Sequence, residues 1–492
     1  MLPFILDEST RGQVALEMII SKNYITPTIN SEFYINKPPL FNWIIAGFIK
    51  LTGNTSEFVF RLPMIVSLIL FGLTIYISLW KRYGKPFAFF VAFMVITCGR
   101  ILFYDSLRGL IDITFSWVIY SSFMVIYHSY YRNKPYLLFI ASYFLIALAF
   151  LLKGLPAIVF QGITLLTFFI YQKEFRKLFS IQHLLGIIIF LIIVGGYLFL
   201  YNKHYPLKDY FDNLWVESSK RTAIDNSFMA TVKHIFSFPF EFLMHFLPWS
   251  FLLICCFRKN VFKIIKGDPF LKFTFYIFLA NLVVYWISPA IYARYLFMFV
   301  PLFFTIILYF FMNREDILSK IIQVFFFILG ISIVAISAII PFIPRLAIQP
   351  NTILKCAILF TLSGLLLYIF IYLKGQRLLI VISMILIARI GFNWFIIPDR
   401  NTNNNDEIRR TSPIQLAKFT MNEKLYIFED SKIHNVESFY ITRERMQLLS
   451  RKYEDFNDGS YYIMRDGPMA NAMHDKFSFE KTFGLIKLVK FK

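Results

Sequence analysis

The sequence predicts an all-α polytopic membrane protein with a small C-terminal α/β domain. Three observations predict it. Of 492 residues, 58% are hydrophobic and 16% charged, against about 45–50% apolar and about 25% charged in soluble domains. The apolar residues gather into runs such as Met64–Leu79 and Val324–Ile340, and a bilayer span takes roughly 20 of them. The chain then turns polar near Pro398 and alternates strand-like with helix-like stretches. Helices close their own backbone hydrogen bonds in lipid, which selects them for the spans. Disorder, a disulfide scaffold and an ordinary cytosolic enzyme are excluded.

Twelve apolar segments can be drawn: 61–80, 87–104, 110–130, 135–152, 154–171, 183–202, 240–257, 270–288, 293–312, 321–341, 352–373 and 378–397. The loops between them form two alternating sets. One carries Lys81, Arg82 and Lys85, then Arg132 and Lys134, then Lys173, Arg176 and Lys177. It continues with Arg258, Lys259, Lys263 and Lys266, with Arg314 and Lys320, and with Lys374 and Arg377. The positive-inside rule makes this set cytoplasmic. It also explains much of the net charge of +20 without a nucleic-acid partner, which would need a basic face on a soluble domain. The four cysteines lie in or beside apolar runs and read as packing residues.

The polar regions 7–60 and 203–239 and the tail then fall outside. Residues 1–397 form the expected transmembrane core and 398–492 the expected external domain. Within 7–60, Ala15, Met18 and Ile19 suggest an amphipathic helix, and Leu40–Leu51 an interfacial one. Residues 1–6 resemble the last turn of a hydrophobic helix. Region 7–60 leaves two readings: a thirteenth span preceding Met1, or N-out insertion without a leader. In the tail, strands are expected at Leu425–Phe428, Tyr461–Met464 and Leu485–Val489, a helix over 443–451, and a linker over Asp399–Glu407.

The residues able to carry chemistry sit at the external ends of the spans. Asp7 and Glu8, with Arg11 beyond, read as a general base at a hydrophobic boundary or as acids at a helix N-terminus. Lys37, fixed before Pro38-Pro39, suits an anion or snorkels to the interface. Asp112 lies about one turn into apolar sequence, where an acid is functional or paired with a base such as Arg108. Lys153-Gly154 reads as a bare turn or as a second cation. Arg294 has the same two readings as Lys37. The loop 203–239 adds His204, Glu217, Lys220, Arg221, Asp225, Lys233 and His234, with no metal-ligand spacing. Converging carboxylates and bases on one membrane face fit transfer from a lipid phosphate. A transporter would carry polar groups through mid-membrane.

At these residues the sequence resembles the ArnT-like and protein O-mannosyltransferase superfamily of integral-membrane GT-C glycosyltransferases. The match runs Asp7-Glu8-x-x-Arg11, Ala15-x-Glu17-Met18, Lys37-Pro38-Pro39-Leu40-x-x-Trp43, Gly53 and Glu57-x-x-x-Arg61-Leu62-Pro63. It continues with Asp112, Phe150-x-x-Lys153-Gly154, His234, Pro248-Trp249 and Arg294-Tyr295. The resemblance implies a GT-C core of 12–13 spans with a periplasmic α/β tail, in the bacterial inner membrane. It implies inverting transfer of a sugar from a polyprenyl-phosphate donor to an acceptor at the periplasmic face. The acceptor is then a lipid A-like lipid, another glycolipid, a polysaccharide or a protein. By the resemblance, Asp7 activates the acceptor and Asp112 is a second acid, with Glu8 beside them. Lys37, Lys153 and Arg294 surround the donor phosphate, Arg11 orients Asp7, and His234 and Arg221 belong to the substrate loop. Family members often carry an acid before the Lys-Pro pair; here it is Asn36, which leaves a divalent metal ion open as a cofactor. The competing expectation is a flippase for a lipid-linked sugar.

Overall fold

A computed structural model describes the chain apart from residues 1, 6, 221, 223–225, 314–316, 403 and 404, and apart from the side chains of 401, 402, 405, 406 and 469. All twelve expected apolar segments fall on helices. Eight helices among the described residues are long and apolar enough to cross a membrane, or ten if each of two bent pairs is one span. This is a multi-pass membrane protein. The segments drawn at 110–130 and 154–171 are the helices Ile111–Tyr131 and Pro156–Tyr171. The latter is only 16 residues long, and the former is studded with serine, threonine and tyrosine.

The polar content of Ile111–Tyr131 reflects its position. It packs between Glu57–Tyr83, Pro135–Lys153 and the segment Ala293–Phe299, and 15 of its residues are buried. Lipid never reaches most of it, so hydroxyl groups are tolerated where they find partners: Ser67 Oγ and Thr114 Oγ1 lie 2.8 Å apart, and Ser122 donates to Gln161 at 3.2 Å. One expected straight span, 240–257, is instead the end of Phe228–His245 and the short helix Trp249–Cys256, bent by 118°. Pro248 stands at the bend, where a missing N–H interrupts the helical ladder.

The expected helices of region 7–60 are present as Asp7–Ser21 and Leu40–Thr52. Asp7 and Glu8 occupy the first turn of the former, where acids complement the positive end of the dipole. Leu2–Ile5 are not helical; Phe4 is fully buried against Phe60 and Phe439. A hairpin of Thr28–Ile29 and Glu32–Phe33 follows. Its two turn residues, Asn30 and Ser31, both have positive φ, 54° and 65°, as a type I′ turn requires. Glu17 fastens the hairpin to the helix by accepting from Thr28 Oγ1, Asn30 N and Ser31 N. Burial raises the Glu17 carboxyl above its ordinary range, and these bonds offset that only in part.

The tail folds as a five-stranded sheet in the order 450–452, 425–428, 461–465, 486–491, 477–483. The first three strands are parallel and the last two pair antiparallel. The expected strands stand within a residue or two of their places. The helix expected at 443–451 lies earlier, at Asn435–Arg445. A capping box between His434 and Glu437 starts it, and Met446, left-handed at φ 49°, ends it; Ser450–Lys452 is a strand. Part of the expected linker is helical, within Asn405–Phe419.

The 435–445 helix lies along Asp7–Ser21. A Cβ at Gly12 would stand 2.9 Å from the Phe439 ring, so glycine sets the approach. Gln13 donates to Thr442 at 3.0 Å, and Asn435 to Thr10 at 2.8 Å. Glu57 receives Arg410 and Arg443, each at 3.3 Å. The sheet therefore sits on the same side of the molecule as Asp7.

Candidate active site

Asp112 stands in the first turn of Ile111–Tyr131 and is 5% exposed. Its Oδ1 accepts from Lys153 Nζ at 2.6 Å, and its Oδ2 lies 3.1 Å from Arg294 Nε. Arg294 in turn reaches Asp7 Oδ2 through Nη2 at 3.3 Å. The result is a chain of alternating charge, Lys153–Asp112–Arg294–Asp7. Three members are nearly buried. Asp7, whose side chain is 66% exposed, meets the solvent. The buried Asp112 carboxylate, shared by the two cations, fixes both in place.

Each cation is placed by local sequence. Lys153 ends the helix Pro135–Lys153 because Gly154 follows with φ 83°. A Cβ there would also strike Leu214 at 2.6 Å. The ammonium lies 3.7 Å from the centre of the Tyr295 ring, within cation–π range. Arg294 opens the short helix Ala293–Phe299 and covers the Tyr292 ring at 4.3 Å.

Lys37 precedes the Pro38-Pro39 pair that starts Leu40–Thr52, and it pairs with Glu217 at 3.6 Å. Lys37, Lys153, Glu217, Tyr285 and Tyr295 line one pocket of about 240 Å³, walled by Trp215, Val159 and Ile291. It joins two cations to an apolar wall, an arrangement matched to an anion on a hydrocarbon chain.

Glu8 does not face this pocket. It is 2% exposed, receives Arg61 Nε at 2.5 Å and Nη2 at 2.9 Å, and accepts from Gly109 N at 2.8 Å. It thereby ties the Asp7 helix to Glu57–Tyr83 and to the segment leading into Asp112. Arg11 donates to Tyr34 at 2.7 Å and lies over its ring; its buried Nη1 has no hydrogen-bond partner. Tyr34 feels both Asp7 and Glu217. Burial holds its hydroxyl above the ordinary range, and Arg11 pulls the other way. Arg108, the base considered for Asp112, covers the Tyr104 ring at 3.9 Å. His234 is buried with Nε2 3.3 Å from the Tyr285 carbonyl oxygen. Arg221 and Asp225 lie outside the described residues.

Asp7, Lys37, Asp112, Lys153 and Arg294 thus come together. Sequence reasoning does not select Tyr34, and it names Glu217, Tyr295 and Arg61 without giving them a role. Arg61 stood in the quoted motif, and Glu217 in the loop, but nothing in spacing pairs residue 217 with residue 37. Among the described residues no three His, Cys, Asp or Glu side chains converge to hold a metal ion. Asp7 and Asp112 flank an arginine instead of sharing a cage of oxygens. This arrangement does not fit a divalent cation between them.

The fold is that of a solved bacterial membrane protein, ArnT. ArnT from Cupriavidus metallidurans, solved with undecaprenyl phosphate, superposes with a TM-score of 0.71 over 99% of this chain and 94% of that one, at 15% identity. The profile of the family described as dolichyl-phosphate-mannose-protein mannosyltransferase matches residues 36–198, which hold Lys37, Asp112 and Lys153. An undecaprenyl phosphate-alpha-4-amino-4-deoxy-L-arabinose arabinosyl transferase of Proteus mirabilis is 25% identical over 282 residues, covering 56% of this chain and 50% of that protein. An uncharacterized protein of Aquifex aeolicus is 24% identical over 248 residues, covering 50% and 48%. The chain spans about half the length of the curated relatives it matches.

Proposed function

We propose that this protein is a glycosyltransferase of the bacterial inner membrane. It moves a sugar from a polyprenyl-phosphate donor to an acceptor at the periplasmic face. The acceptor is a lipid A-like lipid, another glycolipid, a polysaccharide or a protein. Residues 1–397 are the transmembrane unit and 398–492 the periplasmic domain. The observation that carries this reading is the Lys153–Asp112–Arg294–Asp7 chain beside the pocket that Lys37 and Lys153 share.

The geometry supports the following roles. Asp7 is the accessible carboxylate of the chain and takes the proton of the acceptor hydroxyl. The acceptor oxygen then bonds to the anomeric carbon. The bond from that carbon to the phosphate oxygen breaks, and the electron pair leaves with the polyprenyl phosphate. Lys37, Lys153 and Arg294 meet the charge that develops on the phosphate. Asp112 holds Lys153 and Arg294 at their places, and Glu8 and Arg11 position the helix and loop around Asp7. A flippase would need the same cations but no base, and the exposed Asp7 favours transfer.

The test uses purified full-length protein and a donor labelled in the sugar. Asp7→Asn lowers transfer by about 10²–10⁴-fold, while donor binding stays within a few-fold of wild type. Wild-type turnover by Asp7→Asn removes the proposed base. Mass spectrometry of lipid-linked sugars and envelope glycans, with and without the gene, names the sugar and acceptor: a donor accumulates and one glycan loses a residue.

A further inference from the structure

At the end of Ile111–Tyr131 remote from Asp112 the structure has a larger cavity, of about 890 Å³. The 21 residues between put it about 30 Å from the site described above. It opens between the ends of Glu57–Tyr83 and Ile111–Tyr131 and the start of Pro269–Trp286. Lys81, Lys85 and Arg132 stand at its rim. All three are exposed, and none has a carboxylate within ion-pair distance among the described residues. The acid nearby, Asp268, is already engaged: it accepts from Arg82 and from Tyr83, each at 2.9 Å, and caps Pro269–Trp286. The cavity therefore keeps an unbalanced positive charge.

Two more features turn a basic loop into a binding site. His128 lines the cavity, and its Nε2 is buried with no hydrogen-bond partner. Below the rim the walls are Tyr76, Trp80 and Ile77. From Ile77, 58% exposed, an apolar track continues along the same helix through Leu73, Ile69 and Val66, at 50%, 61% and 37%. Their spacing of three or four residues keeps them on one face. Cations at the mouth, aromatic rings beneath, and exposed aliphatic residues leading into the hydrocarbon match the parts of an anionic lipid in order.

We infer that this cavity binds the phosphate of an anionic phospholipid in the leaflet opposite the Asp7 site, with an acyl chain along Ile77–Val66. Lys81, Lys85 and Arg132 hold the phosphate. Trp80 and Tyr76 lie at the head-group level, where aromatic side chains collect. The inference does not depend on the transfer reaction.

Native mass spectrometry of the full chain in detergent, titrated with cardiolipin and separately with phosphatidylcholine, tests it. Wild type retains cardiolipin in preference. The variant Lys81→Gln/Lys85→Gln/Arg132→Gln loses affinity by about a factor of five per basic residue, on the order of 100-fold in all. The single variant Lys85→Glu lowers it less and serves if the triple variant is not monodisperse. Equal retention of both lipids by wild type, or unchanged cardiolipin affinity in both variants, overturns the inference. Displacement of cardiolipin by millimolar inorganic phosphate also overturns it, since a free anion would then suffice. Retention in its presence supports the lipid as the source of the phosphate.

Discussion

The two ends of the Ile111–Tyr131 helix handle charge in opposite ways. At the Asp112 end, two acids and two bases are threaded into one chain, and three of the four are almost out of contact with water. At the other end, Arg82 and Asp268 pair at the surface, and among the described residues no acid pairs with Lys81, Lys85 or Arg132. The first arrangement is rigid and specific because a buried ion that loses its partner is costly. The second is adaptable, because water already solvates it. Buried pairing suits a centre that must hold reacting groups still, whereas solvated excess charge suits a surface that holds a mobile lipid.

Three substitutions test this contrast, in falling order of effect. Asp112→Asn takes from the buried Lys153 and Arg294 the carboxylate they share and leaves Arg294 its longer contact with the exposed Asp7. Removing one partner of a buried pair costs about 3–5 kcal/mol, so thermal unfolding in detergent shifts clearly downward and transfer falls below detection. If Asp112→Asn melts with wild type, the chain is not the stabilising unit described. Glu217→Gln acts at the edge of the same end. Lys37 and Glu217 lie 3.6 Å apart and keep 19% and 13% side-chain exposure, and a partly exposed ion pair is worth up to about 1 kcal/mol. The expected result is an increase of up to about 5-fold in KM for the donor with kcat within a few-fold. A selective fall in kcat would instead put Glu217 in the chemistry. Arg82→Gln breaks the surface pair at the other end. Exposed pairs contribute about 0.2–1 kcal/mol, so melting changes by a degree or two and transfer is unaltered. A shift as large as that of Asp112→Asn would erase the contrast.

Much of this was readable from residues alone, and the exceptions have physical reasons. Apolar runs located every helix at the membrane, since lipid admits few alternatives to a helix. They could not report that Pro248 turns the chain through 118°, because a proline beside an apolar run fits a kink, a bend or a helix start. Asp112 stood out because an acid inside an apolar run needs a partner. That the partners are Lys153 and Arg294, and not neighbouring Arg108, is tertiary information. Glu8 and Asp7 are adjacent, yet helical geometry turns one inward to Arg61 and the other outward to Arg294. In the tail, the charged stretch 443–451 reads as helical by composition. The left-handed Met446 and the pairing of Ser450–Lys452 with Tyr426–Phe428 override that local preference.

The contact between Gly12 and Phe439 has a consequence for how such a molecule can be inherited or recombined. The tail is not a detachable module, since its helix is fitted to one strip of the first helix, where a single added methyl group collides with an aromatic ring. A tail taken from a relative would bring its own surface to a strip shaped for another. The smallest exchangeable piece is therefore discontinuous: the Asp7–Ser21 helix together with the 398–492 domain, two segments far apart in sequence that must travel as a pair.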